Sequence, residues 1–168
     1  MATLTLPARE VEAPEVRVRV AQPSELDDVM TLALMGCEEN GIVVPNAAKV
    51  LQDIYAALHL HHGVVGAIGA PGHLEGAVLL RVGSLWYSDD VIVEEKAIFI
   101  HPEYRAAKGG RAARLAEFSK HVADEMGLPL LIGVLSSHRT EAKVRMYRRI
   151  MGEPSGAYWI YRPQPKEI

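Results

Sequence analysis

Apolar and polar positions alternate in short blocks along this 168-residue chain, and the blocks change period from two to about 3.6 and back. Val16-Arg-Val-Arg-Val20 alternates with period two and predicts a strand. Gln22-Pro23-Ser-Glu25 then predicts a helix start, with proline in the first turn and acids near the N-terminus. Leu26, Val29, Met30, Ala33 and Cys37 mark the inner face of that helix, and Asn40-Gly41 ends it. Asn46 caps a second helix with Val50, Leu51, Ile54, Tyr55 and Leu58 inward, closed at Gly63. Val64 to Ala70, the turn Pro71-Gly72, and Leu74 to Val82 read as a hairpin. A further strand runs from about Val91 to Ile100.

A helix follows from Gly110 to Met126, with Leu115, Ala116, Val122, Ala123 and Met126 inward and Gly127 as its stop. Pro129 to Leu135 is a continuous apolar run, as in a strand covered on both faces. Thr140 caps the last helix, which reaches about Met151 with Arg148 and Arg149 near its C-terminus. Tyr158-Trp-Ile-Tyr161 reads as a terminal strand. The order β-α-α-β-β-β-α-β-α-β predicts an α/β sandwich around a central mixed, mostly antiparallel sheet. It divides the chain into an N-terminal arm (1–15), a single domain (16–162) and a short tail (163–168).

The junction between the strand ending at Ile100 and the helix opening at Gly110 carries the chemistry. Between them lie Arg105, Ala106, Ala107, Lys108, Gly109, Gly110 and Arg111, small and basic residues in one loop. Glycines let the backbone approach a ligand closely, and the first-turn N–H groups of a helix point outward with the positive end of its dipole. The ligand expected there is a phosphate or pyrophosphate. A net charge of −3, with basic residues gathered at Arg105 to Arg114 and Arg139 to Arg149, suits a small anion. It does not suit the basic face that nucleic-acid binding needs.

Arg105-x-x-Lys108-x-Gly110, after a strand ending Phe-Ile-His-Pro-Glu-Tyr, resembles motif A of the GNAT acetyltransferases, whose pattern is Gln/Arg-x-x-Gly-x-Gly/Ala. Lys108 departs from it, standing where the first glycine usually sits. The element order is that of the GNAT fold, and the likeness extends over about residues 16 to 162. Trp86-Tyr87-Ser88, His101 to Arg105 and Thr140 to Arg149 are similar in style to the small GNAT proteins of phage and prophage genomes. The resemblance implies an acetyl-CoA-dependent N-acetyltransferase moving an acetyl group to a primary amine by direct transfer in a ternary complex. It places the pyrophosphate of acetyl-CoA on the Arg105 to Arg111 loop. It places the pantetheine and thioester on the backbone of Phe99, Ile100 and His101.

The same resemblance makes Tyr147 the acid for the departing thiolate; read without it, Tyr147 is a packing residue with a surface hydroxyl. Glu94 and Glu95 lie where relatives carry a glutamate base. Adjacent strand residues face opposite sides, so one of the two faces the cleft. A bulge common at this place in the family keeps parity from choosing. Glu95 is the preferred base, with Glu94 and Lys96 as a solvated pair; both glutamates as surface charges is the other reading.

Other features add less. His59, His61 and His62 have the wrong spacing for one helical face, and a helix-end cluster with no metal is expected. His138, with Ser136, Ser137 and Arg139, either contacts ligand or forms a polar turn. Trp86, Tyr87, Asp89 and Asp90 either line an acceptor cleft or close a hairpin. Cys37, the single cysteine, is read as a buried structural thiol. Met1 to Glu15 lacks an apolar core, and no apolar run approaches the ~20 residues that span a bilayer. A soluble cytoplasmic protein is therefore expected, with no membrane partner. A homodimer through the terminal strand stays open, as does the identity of the amine acceptor. Two rival readings stand: a non-catalytic GNAT-like protein that binds CoA or a partner, and a P-loop-like nucleotide binder. The second lacks Gly-Lys-Ser/Thr and ranks last.

Overall fold

The computed structural model describes residues 15–136 and 139–163. The expected N-terminal arm up to residue 14, the tail from residue 164, Ser137 and His138 lie outside the described residues. The chain runs β1 (Arg19–Val20), α1 (Leu26–Asn40), α2 (Ala47–Leu58), β2 (Gly63–Ala70), β3 (His73–Ser84) and β4 (Val91–Ile100). It continues with α3 (Arg111–Met126), β5 (Leu130–Ile132) and α4 (Thr140–Met151). The five strands form one mixed sheet in sequence order, antiparallel from β1 to β4 and parallel between β4 and β5.

Two apolar layers cover the sheet. Val29, Leu32 and Ala33 of α1 and Ile54, Ala57 and Leu58 of α2 pack on Val65, Ala67, Ala77 and Leu79. On the other face, Leu115 and Ala123 of α3 pack on Ile68, Val78, Leu80 and Val93. Alternate residues of β3 thus serve opposite layers, as a strand's period of two requires.

Several caps fall where the sequence puts them. The Asn46 side chain accepts from the amides of Ala48 and Lys49 at 3.0 and 3.2 Å. Gly41 and Gly127 close α1 and α3 in the left-handed conformation that glycine tolerates best. Glu25, 1% exposed, accepts two bonds from Arg19 (2.6 and 2.7 Å) and one from the Gln22 amide (2.8 Å). These donors hold its carboxyl below the usual range, with the Arg19 hydrogen bond the largest cause, and tie the start of α1 to β1.

Six expectations need correction. The first strand is Arg19–Val20 only, not Val16 to Val20. Helix α2 stops at Leu58, and positive φ at Leu60 and His62 turns the chain before Gly63, which opens β2 instead of ending the helix. The buried face of α2 is rotated toward Ala57, leaving Tyr55 50% exposed. In the 129–135 run only Leu130–Ile132 forms a strand, and it is half-buried, because β5 is an edge strand with one neighbour. No strand forms at Tyr158 to Tyr161, whose four side chains are exposed. The run of four large residues there makes no ladder with β5, the nearest edge in the sheet order. Arg139, in a left-handed conformation, takes the N-cap position of α4, and Thr140 Oγ1 donates back to the Ser136 carbonyl at 2.7 Å.

Candidate active site

A bulge in β4 decides which way the glutamates face. Leu79 pairs with Ala97 and Leu80 pairs with Glu95, so Lys96 is the extra residue between them. Upstream of the bulge the odd-numbered Val93 and Glu95 lie on the α3 side. Downstream the even-numbered Ile98 and Ile100 do. Were Lys96 paired in a regular ladder, Glu95 would share the α1 face with Phe99.

Glu95 is consequently 6% exposed beneath α3 and α4. Its Oε2 accepts from Ser119 Oγ at 2.8 Å, and its Oε1 accepts a short hydrogen bond from the Tyr147 hydroxyl. Burial pushes the Glu95 carboxyl up, against the opposing pull of the two hydroxyl donors. Burial also pushes the Tyr147 phenol strongly up, and the neighbouring carboxylate adds to it. Glu94, on the other side of the strand, forms an ion pair of 3.2 Å with Lys96. The structure thus brings Glu95 and Tyr147 together and leaves Glu94 in the paired, solvated arrangement.

A buried carboxyl with a raised titration point makes stability depend on pH. The folded protein keeps its proton over a range where the unfolded chain has lost it. Stability therefore falls as pH rises from the ordinary carboxylate range, about 4, through the raised folded value. Glu95→Gln removes that decline. Its melting temperature relative to the native protein should rise as the pH is raised from about 4 through the raised folded titration of Glu95. A pH-independent difference would mean that Glu95 titrates normally.

Beyond Glu95 the sheet opens. The parallel pairing of β4 with β5 ends at Glu95 and Ile132, whereas β4 continues to Ile100. His101 N donates to the Glu75 carbonyl at 3.0 Å, so by antiparallel alternation Phe99 and Ala97 also turn their backbone groups toward β3. Ile98 and Ile100 turn theirs toward the open side. Of Phe99, Ile100 and His101, only Ile100 turns its backbone to this cleft, with its carbonyl taken by Arg105 and its N–H left to the open side, and Ile98 joins it. The ring of Phe99 lies against Gly36 of α1, where a Cβ would stand 2.3 Å from it. The His101 ring lines a cavity of about 240 Å³ with Asp28, Thr31, His73 and Tyr104.

In the loop after β4, the arginines build the frame. Arg105 forms a bidentate ion pair with Glu39 of α1 and donates to the Ile100 carbonyl at 3.1 Å. Arg111 bonds Glu75 at 2.6 Å and the Lys108 carbonyl at 2.9 Å, and lies 5.0 Å from the Tyr104 ring centroid. Ala106, Ala107, Lys108, Gly109 and Gly110 are exposed. Gly109 (φ 114°) and Gly110 (φ 59°) take conformations that side-chain-bearing residues avoid. Gly110 is the N-cap of α3 and supplies no capping side chain, so outward N–H groups of the first turn remain for a ligand. Lys143 of α4 lies nearby, donating to Ser136 Oγ at 2.6 Å. Burial is the larger cause that lowers its ammonium; Arg105 and Arg139 act the same way, and Glu39 opposes them.

The remaining candidates lie elsewhere. Trp86 and Tyr87 stack edge-to-face at 5.4 Å in the β3–β4 connection, at the end of β4 away from the loop, with Trp86 95% exposed. His59 Nδ1 is 2.8 Å from the Tyr55 carbonyl at the end of α2. No cluster suited to a metal ion occurs among the described residues. Cys37 is half-buried, and burial raises its thiol above the ordinary value. No helix among the described residues is long and apolar enough to cross a membrane. Ser119 and Ile98 were not legible as site residues. The one signal for Ser119 was a hydroxyl at the centre of the apolar stripe Leu115, Ala116, Ala123, where a polar group needs a partner.

No protein-family model and no curated protein matches this chain; the likeness is one of structure. A possible acetyltransferase from Clostridium difficile 630 superposes with a TM-score of 0.65 at 13% identity, over 90% of this chain and 99% of that one. AAC(6')-Iy in complex with the bisubstrate analogue CoA-S-monomethyl-acetylneamine gives 0.64 at 17% identity, over 90% and 99%. A ribosomal-protein-alanine N-acetyltransferase from Brucella melitensis biovar Abortus 2308 gives 0.59 at 14% identity, over 88% and 98%. The chain has the fold of these proteins, the GNAT fold.

Proposed function

We propose that this chain, carrying the GNAT fold, is an acetyl-CoA-dependent N-acetyltransferase that transfers the acetyl group directly to a primary amine. The observation that carries the reading is the cleft where β4 outlasts β5. It has the Ile98 backbone and the Ile100 N–H facing the open side on one wall, the exposed loop with the first-turn N–H groups of α3 at one end, and the Glu95–Tyr147 pair at the other. Acetyl-CoA fits this arrangement, since its pyrophosphate suits the first-turn N–H groups of α3 and its amide-bearing arm suits a free strand edge. Lys108, exposed at the loop, adds positive charge there. Arg105 and Arg111 act through the loop's shape, being engaged by Glu39 and Glu75.

Thioester aminolysis needs a neutral amine held against the carbonyl carbon, a route for the amine proton, and a proton for the sulfur. Tyr147 is the group best placed to serve the sulfur. The neighbours include proteins named for an aminoglycoside and for a ribosomal-protein alanine as acceptors. The reading for this chain stops at a primary amine.

The test is release of free CoA thiol from acetyl-CoA in the presence of neamine, spermidine or an alanine-starting peptide. Acceptor-dependent release that falls by about 10²-fold in Tyr147→Phe supports the proposal. No release with any of them contradicts it.

A further inference from the structure

We infer that Glu95 and Tyr147 act as one two-way proton relay, seated by Ser119, rather than as a separate base and a separate acid. The inference rests on the acetyl-transfer reading above and assigns the proton path within it. Its ground is geometric. Glu95 lies under Tyr147, and the hydroxyl of Tyr147 donates to Glu95 Oε1, so an amine in the cleft meets the phenol before it meets the carboxylate.

Ser119 occupies the other carboxylate oxygen. It is fully buried on α3, and its hydroxyl reaches Glu95 Oε2 at 2.8 Å and the Leu115 carbonyl at 3.1 Å. Among the described residues, α3 presents Ser119 to this carboxylate and α4 presents Tyr147. The register partners of Glu95 on β3 and β5 are the apolar Leu80 and Ile132, and the flanking Glu94 and Lys96 pair with each other. A carboxylate with both oxygens claimed by hydroxyl donors has one outlet for a proton, the phenol of Tyr147.

The relay balances. As the neutral amine's nitrogen bonds to the thioester carbon, that nitrogen becomes positively charged. Its proton passes to the Tyr147 oxygen while the Tyr147 hydroxyl proton passes to Glu95 Oε1. As the carbon–sulfur bond breaks, Tyr147 gives a proton to the sulfur and takes one back from Glu95. One C–N bond has formed, one C–S bond has broken, one proton has moved from nitrogen to sulfur, and both side chains are restored. The phenol never stands as a free anion, consistent with the strong upward push on its ionisation. Tyr147 is the catalytic residue in this scheme; Glu95 works through it, and Ser119 positions Glu95.

The experiment is a double-mutant cycle on kcat/KM for thiol release with the acceptors named above, using Glu95→Gln, Tyr147→Phe and both together. Residues acting as a unit are grossly non-additive. Each single substitution should lower kcat/KM by a similar factor, and the double should be no slower than the worse single. A double loss near the product of the two overturns the relay while leaving acetyl transfer intact. A native protein that transfers to none of the acceptors overturns the relay together with the reading it rests on. Ser119→Ala supplies a second readout. Its hydroxyl favours the ionised carboxylate, so its loss raises the Glu95 titration and moves the acidic limb of the kcat/KM profile to higher pH. An unmoved limb removes Ser119 from the relay.

Discussion

Tyr147→Phe is expected to lower turnover by about 10²-fold or more, the usual contribution of a positioned proton donor, while acetyl-CoA affinity changes by only a few fold. The asymmetry follows from the position of the hydroxyl. It bonds the buried Glu95 and, among the described residues, makes no hydrogen bond to the loop at Arg105 to Arg111, so its removal touches the proton route and not the cofactor's phosphates. Phenylalanine keeps the ring that packs beside α3, and Glu95 can compensate for the lost donor by holding its proton. The variant should therefore fold. Thiol-release kinetics and acetyl-CoA titration, run side by side, separate the two effects. Equal turnover would take Tyr147 out of the mechanism, and equal losses in turnover and affinity would mean that the ring only shapes the cleft.

Gly109→Ala is expected to do the reverse, weakening acetyl-CoA binding by at least about 10-fold. A φ of 114° lies where a Cβ is strained, and the added Cβ would stand 2.6 Å from Cγ2 of Val16. Strain of this kind costs on the order of 1–3 kcal/mol, which a surface loop relieves by taking another path. A displaced loop misplaces the first-turn amides of α3, and those are the groups assigned to the pyrophosphate. Calorimetric titration of acetyl-CoA into both proteins checks this. Unchanged affinity would mean that the anion is held by side chains and not by the loop backbone.

Much of this architecture was legible because it rests on local rules. Asn46, Gly41 and Gly127 act as caps where the sequence places them, and the hairpin turns at Pro71-Gly72. What was hidden depends on partners distant in sequence. The facing of Glu94 and Glu95 is set by an unpaired Lys96, and a bulge leaves no trace in hydrophobic periodicity. Ser119 reads as a break in an apolar stripe until the carboxylate opposite it is known. The loop arginines read as phosphate ligands, since nothing local announces that Glu39 and Glu75, 66 and 36 residues away, engage them. Tyr158 to Tyr161 has the aromatic and β-branched composition of a strand, yet a strand forms only where it pairs, and pairing is a tertiary property.

The most direct test of the account is thermal unfolding of the native protein with and without acetyl-CoA, with Lys108→Glu alongside. A ligand at 100 times its dissociation constant stabilises by about 2.7 kcal/mol, enough for a clear rise in melting temperature. The cleft and loop described above require that rise in the native protein, with most of it lost when a carboxylate replaces the exposed lysine. An unchanged melting temperature at millimolar acetyl-CoA would contradict the assignment of this fold to acetyl transfer.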